Sequence, residues 1–310
     1  MKKLLLVLVG LVIVLVLWVY LFIPSTIKLH GSMQIEASRN GLFRKLEQVE
    51  NWKQWWPGTS AGNETFTLHG INFKPGETKV LSIPLLIDAS DLSGTVELTF
   101  IPNKTDSTII QVEATVPVPS NPLRRVKTYL QSRKLKPSLP EILEALNKTY
   151  SKIANVYDYD IRKERVVDSV LVFTSEETKG YPSVEKIYSL VDQLKMYIKT
   201  QSAIETGFPM QNIYTSDSLN YLVKVAIPVN KRLPDTDKFR YKWMLGGGNI
   251  LITEVKGGQN EINKAYGQIL NYISDYNRTA PAISFESLVT DRRKEPDSNK
   301  WITRIYYPVM

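Results

Sequence analysis

The chain has 310 residues, 43% hydrophobic and 23% charged, the proportions of a water-soluble globular protein with enough length for two cores. Its net charge of +8 is mild and not gathered into a dense basic footprint, so direct nucleic-acid binding is not expected. The absence of cysteine excludes disulfides, thiolate catalysis and Cys-ligated zinc, and with only His30 and His69 as histidines neither a metal site nor a cofactor is expected.

From Leu4 to Ile23 the chain carries no charge. At about 1.5 Å per residue such a helix matches the roughly 30 Å hydrocarbon core of a bilayer. Lys2 and Lys3 precede it, and Trp18, Tyr20 and Phe22 close it as an interfacial aromatic belt. Residues 1–25 therefore read as an uncleaved anchor, with the N-terminus cytoplasmic and the remainder exported. A cleaved signal peptide would have a shorter apolar region ending in a small-residue site, and Pro-Ser-Thr-Ile-Lys after Ile23 offers none.

A first soluble unit is expected over residues 27–157. Residues 27–37 alternate as a half-buried strand, with Ile27, Leu29, Gly31, Met33 and Ile35 on the covered face. Ser38 is placed to cap a helix with Leu42, Phe43, Leu46 and Val49 on its apolar stripe, and Glu50-Asn-Trp-Lys-Gln-Trp-Trp-Pro-Gly closes that helix. Four strands are expected at 64–73, 78–87, 94–101 and 107–116, separated by turn sequences. A long helical region then begins after Asn121-Pro122, with Ile142, Leu146, Tyr150, Ile153 and Tyr157 on one stripe. Trp52, Trp55 and Trp56 are expected in the core, and the acid-free basic run from Leu123 to Lys136 as a solvated helix face.

The second unit, residues 160–310, repeats one order of elements. A strand at 169–174, a Ser183-capped helix with Val184, Ile187, Tyr188, Val191, Leu194 and Ile198 inward, and strands at 208–215 and 219–229 are followed by the same series from Asn249. That second series holds a helix with Ile262, Ala265, Tyr266, Ile269 and Ile273 inward, a strand at 282–290 and a last strand ending Arg-Ile-Tyr-Tyr-Pro-Val. Lys186-Ile187-Tyr188 and Lys264-Ala265-Tyr266 occupy matching helix positions, so a duplicated βαββ module with a cleft at its pseudo-two-fold axis is expected. The fold class is α+β. Gly246-Gly247-Gly248 precedes a strand and no Lys-Ser or Lys-Thr follows it, so it reads as a turn and not as a phosphate loop.

The run Glu47 to Gly58 and the order of elements around it resemble the helix-grip fold of the START-like and polyketide cyclase (SRPBCC) superfamily, which implies an apolar cavity for a hydrophobic ligand. Residues from about 166 to 310 resemble the GyrI-like, or AraC-type effector-binding, domain family. The carriers are Tyr181 to Tyr188, Gly207-Phe208-Pro209, Ala226-Ile227-Pro228-Val229, Lys256-Gly257-Gly258 before Ala265-Tyr266, and Ile302 to Val309.

That resemblance implies a small organic ligand held by a cleft carboxylate, here Glu286, among aromatic residues such as Phe208, Tyr221, Trp243 and Tyr266. Leu288 stands where the family usually has an aromatic and Lys256 where it usually has a histidine, which implies a less cationic ligand. Some relatives hydrolyse reactive small molecules, and on that alternative Glu286 would be the general base. No Ser/His/Asp order or metal cluster accompanies it, so binding is expected ahead of turnover.

Overall fold

The computed structural model describes residues 2–310 apart from 63, 105, 168, 216–218 and 245. The chain divides into two units, residues 1–156 and 157–310, each built on its own antiparallel sheet.

In the first unit, α1 (Lys2–Phe22) is the one helix among the described residues long and apolar enough to cross a membrane. β1 (Thr26–Ile35) begins after a three-residue link and alternates as its sequence dictates, ending on the fully buried Ile35. Ser38 Oγ accepts from Gly41 N at 3.1 Å to cap α2 (Arg39–Leu46), and a 3-10 turn at Val49–Gln54 follows. Trp52 in that turn is fully buried: its Nε1 donates to Leu46 O at 2.6 Å, and its ring stacks on Trp56 at 6.2 Å and meets Phe66 at 5.4 Å. The tryptophans are core residues, as expected.

Next come β2 (Thr59–Gly62), β3 (Thr65–Leu68), β4 (Ile71–Pro75), β5 (Ser82–Ala89), β6 (Leu92–Asn103) and β7 (Ser107–Pro117), in a seven-stranded sheet of order β1-β7-β6-β5-β4-β3-β2. The strand expected at 64–73 is in fact the β3–β4 hairpin. Leu68 and Ile71 are both buried, which a continuous strand cannot achieve for residues three apart, and the chain turns between them at His69 (φ 50°) and Gly70 (φ 76°). β7 shows the regular case, burying Ile110, Val112, Ala114 and Val116 on alternate positions.

The helical region after Asn121 is three helices: α3 (Pro122–Ser132), α4 (Leu135–Tyr150) and α5 (Ile153–Tyr157). Asn121 Oδ1 caps the first, accepting from Leu123 N and Arg124 N. α4 buries Ile142, Leu146 and Tyr150 and lies along β1. Gly31 permits this approach, since a Cβ there would sit 3.1 Å from Val112 Cγ1 and 3.3 Å from Leu143 Cδ1.

The second unit contains β8 (Arg162–Arg165), β9 (Ser169–Lys179), α6 (Val184–Thr200), β10 (Met210–Thr215), β11 (Asn220–Val229), β12 (Arg240–Met244), β13 (Asn249–Lys256), α7 (Gln259–Asp275), β14 (Phe285–Leu288) and β15 (Ile302–Val309). Its sheet runs β12-β9-β11-β10-β14-β15-β13-β8, antiparallel throughout. α6 seats Ile187, Val191, Leu194 and Ile198 on Val223, Val225 and Ile227, and α7 covers β13 and β15 with Ile262, Ala265 and Ile269 buried. The edge strands β8 and β12 are short and have no counterpart in the expectation. β14 is half the length expected. It meets β10 through only two register pairs, Met210 with Ser287 and Gln211 with Glu286.

Candidate functional site

A strand buries alternate residues, and pairing places partners on the same face. Register therefore assembles a transverse row across six strands: Thr174, Val225, Gln211, Glu286, Ile305 and Thr253. All six are buried on the face that α6 and α7 cover. Five of them are apolar or uncharged. Glu286, 8% exposed, sits in the middle of the row as its charged member.

Gln211 Nε2 donates to Glu286 Oε2 at 2.8 Å, and Arg292 Nη2 lies 3.7 Å from the same oxygen. Burial of the carboxyl raises its pKa, and the Gln211 hydrogen bond and the Arg292 charge only partly offset this. A buried arginine beside it ordinarily argues for a low carboxyl pKa. Here the cation stands beyond hydrogen-bond length and desolvation prevails.

Arg292 is itself fixed. Its Nη2 donates to Thr303 Oγ1 at 3.0 Å, its guanidinium lies 4.9 Å over the Trp301 ring, and its backbone N donates to Tyr188 OH at 3.0 Å. Tyr188 in turn donates to Thr290 O at 3.0 Å, which ties the loop after β14 to α6.

Two phenols feel the Glu286 charge. At Tyr181, burial first and the carboxylate second push the pKa up to about 12, although half of the residue remains open to solvent. Tyr266 is raised by burial and then by Glu286, and its hydroxyl is hydrogen-bonded to Ser284. Tyr181 meets Tyr221 edge to face at 5.7 Å, and Tyr266 meets Tyr307 at 6.5 Å. Tyr181 and Tyr221, with Lys179, Gly180, Leu219 and Asn220, line a cavity of about 490 Å³.

Of the residues expected around Glu286, the fold thus brings Tyr266 to it and Tyr221 to the rim through Tyr181. Trp243 lies elsewhere. It is 58% exposed and lines a cavity of about 740 Å³ with Phe173, Met210, Phe285 and Met244, a cavity that Glu286 does not line. Phe208 is also half exposed, in the turn before β10. Leu288 belongs to the core under α6, and Lys256 is exposed at the end of β13, so the positive charge at the carboxylate is Arg292 and not Lys256.

The larger cavity and the buried carboxylate do not coincide. The carboxylate is the better marker of a site, because burying a carboxyl in a sheet interior costs stability and an apolar hollow on a sheet face does not. Gln211, Arg292 and Tyr181 escaped the sequence reading. Gln211 alone had a signal, as an amide at an inward position of an alternating strand.

No group of three His, Cys, Asp or Glu residues that could hold a metal ion occurs among the described residues. The chemistry available is a buried carboxyl able to accept a hydrogen bond or a proton, an arginine beside it, and a tyrosine rim.

No protein family and no curated protein matches the sequence. Among solved structures, the chain is similar to the EcmrR C-terminal domain at 14% identity over 49% of this chain and 98% of that one, with a TM-score of 0.40. It is similar to a hydrolase from Listeria innocua at 14% identity over 48% of this chain and 92% of that one, with a TM-score of 0.35. It is also similar to the Zhui aromatase/cyclase from Streptomyces sp. R1128 at 7% identity over 41% of this chain and 94% of that one, with a TM-score of 0.33.

Proposed function

We propose that this chain is a membrane-anchored binding protein whose C-terminal unit takes a small organic ligand at Glu286. On this reading α1 is an uncleaved anchor, the first soluble unit is a START-like helix-grip domain, and the second is a duplicated GyrI-like effector-binding domain.

The observation that carries the reading is a carboxyl 8% exposed at the centre of a sheet, with two tyrosines whose phenols respond to its charge. A charge in such a place costs stability, and binding is the function that offsets the cost. Arg292 already faces the carboxyl at 3.7 Å, so the ligand is an aromatic-sized molecule that presents a hydrogen-bond donor and carries no fixed positive charge.

The test compares a tetra-arylphosphonium salt with a neutral aromatic amide of similar size, titrated into the protein and into Glu286→Gln. The neutral compound is expected to bind better, and the substitution to weaken it by about 1–3 kcal/mol, the usual cost of losing a charged hydrogen-bond partner. Equal affinity in both proteins would remove Glu286 from the site.

A hydrolase is the second reading, supported by the raised Glu286 pKa, which suits a general base. It requires Glu286→Gln to abolish turnover of a reactive ester or epoxide while leaving affinity nearly unchanged.

A further inference from the structure

α3 is amphipathic in the reverse of the usual sense. A helix on a soluble domain turns its apolar stripe inward and its polar residues to water. α3 buries Arg125, Thr128 and Ser132 and exposes Leu123 (77%), Leu130 (53%) and Tyr129. At about 100° per residue, the exposed Leu123 and Leu130 and the half-buried Val126 fall within roughly 60° of arc on the side away from the buried residues.

Each buried polar group is satisfied by a backbone carbonyl. Thr128 Oγ1 donates to Asp91 O at 2.8 Å, Ser132 Oγ to Tyr129 O at 2.7 Å, and Arg125 Nε and Nη2 to Ile23 O at 3.1 and 2.6 Å. The exposed apolar stripe has no such account within the fold.

Two further features define what covers it. Arg124, Lys127, Arg133, Lys134 and Lys136 are all exposed, and no acidic residue stands between Asn121 and Lys136. Among the described residues, the ionic neighbour of this run is Asp91, 3.9 Å from Lys127. The helix is also clamped to the end of α1: besides the Arg125 contacts with Ile23, the Arg125 guanidinium lies 4.8 Å over the Tyr20 ring, and Tyr20 OH donates to Ser120 O. Whatever phase α1 leaves at Phe22, α3 lies within one arginine side chain of the boundary.

We propose that α3 is an in-plane membrane helix. Its Leu123, Val126 and Leu130 stripe beds into the headgroup layer of the leaflet from which α1 emerges, and its cations engage anionic phospholipid headgroups. This rests on the reading of α1 as a membrane span. The basic run is then a lipid contact and not a solvated face.

The chain has no cysteine, so single-cysteine variants of the full-length protein can be labelled at one chosen site. Nitroxides at Leu123→Cys, Leu130→Cys and, as the reference for the span, Val14→Cys are compared in phosphatidylcholine vesicles with and without phosphatidylglycerol. With phosphatidylglycerol present, the labels at 123 and 130 should lose access to a water-soluble nickel chelate several-fold and gain access to oxygen. Charge reversal at Lys127 and Lys134 should restore the chelate's access.

A lipid-buried label at 14 with water-exposed labels at 123 and 130 would overturn the docking and leave the anchor standing. A water-exposed label at 14 would overturn both. Equal protection in pure phosphatidylcholine would overturn the role of anionic headgroups. Spin–spin broadening at 123 that vanishes on dilution with unlabelled chain would mean that a second copy covers the stripe, and would overturn the proposal.

Discussion

Gln211 and Glu286 face each other across the shortest strand pairing in the second sheet, amide nitrogen to carboxylate oxygen at 2.8 Å. Gln211→Leu would leave Oε2 with only the distant Arg292 as partner. A buried charged acceptor deprived of its donor costs about 1–3 kcal/mol. Chemical denaturation of the second unit should show a lower midpoint with an unchanged slope. An unchanged midpoint would mean that the bond contributes nothing to stability.

The raised pKa of Glu286 sets the sign of a pH effect. The folded state binds this proton more tightly than the unfolded state does, so the stabilisation is fully present below the unfolded pKa and is lost as pH rises through the folded one. The difference in Tm between the native protein and Glu286→Gln should therefore grow in the native protein's favour as pH falls from neutral toward about 5. A difference that shrinks over this range would show that Arg292, and not burial, governs ionisation.

Tyr188 OH accepts from Arg292 N and donates to Thr290 O, both at 3.0 Å. Tyr188→Phe keeps the ring in the core and removes both bonds, at roughly 1–2 kcal/mol by analogy with other buried hydrogen bonds. If the loop also positions Arg292, the ligand affinity of this variant should fall further than that of a variant with an equal loss of stability elsewhere in the core.

The second unit is expected to melt cooperatively by itself, because α6 and α7 both pack on one continuous sheet. Its first residue matters. Tyr157 is fully buried, packs on Tyr272 at 5.3 Å and donates to Asp275 Oδ2 at 2.9 Å. A fragment starting at Tyr157 should melt at higher temperature than one starting at Asp160, and a non-cooperative melt of both would refute independence.

The sequence made the long regular elements readable because their burial is periodic. The α6 and α7 stripes, the β1 alternation and the Ser38 and Ser183 caps stand where pattern alone puts them. Short irregular pieces were not readable. The β3–β4 hairpin turns at a histidine with φ of 50°, a conformation that no local composition rule flags, and β8 and β12 gain strand form from the edges they pair with.

At the site, Glu286 was reached through the resemblance of the C-terminal half to the effector-binding family and not through its strand pattern. Arg292 could not be foreseen, since a loop residue six positions beyond Glu286 reaches it only through contacts that the fold makes with Tyr188, Thr303 and Trp301. The resemblance grouped Trp243 with Glu286, whereas its edge strand carries it to a different hollow of the sheet.

The two-pair junction between β10 and β14 also has a mechanical meaning. Every other neighbouring pair in that sheet is held by four or more register pairs, whereas here Met210 and Gln211 meet Ser287 and Glu286 with the Leu288 N bond to Pro209 O and the Asn212 Nδ2 bond to Ser284 O alongside. Glu286, the residue proposed to meet a ligand, is therefore also one of the side chains that bridge the two halves. On the proposed binding reading, a guest that takes Glu286 from Gln211 removes one of the side-chain bonds that bridge the two four-stranded halves of the sheet.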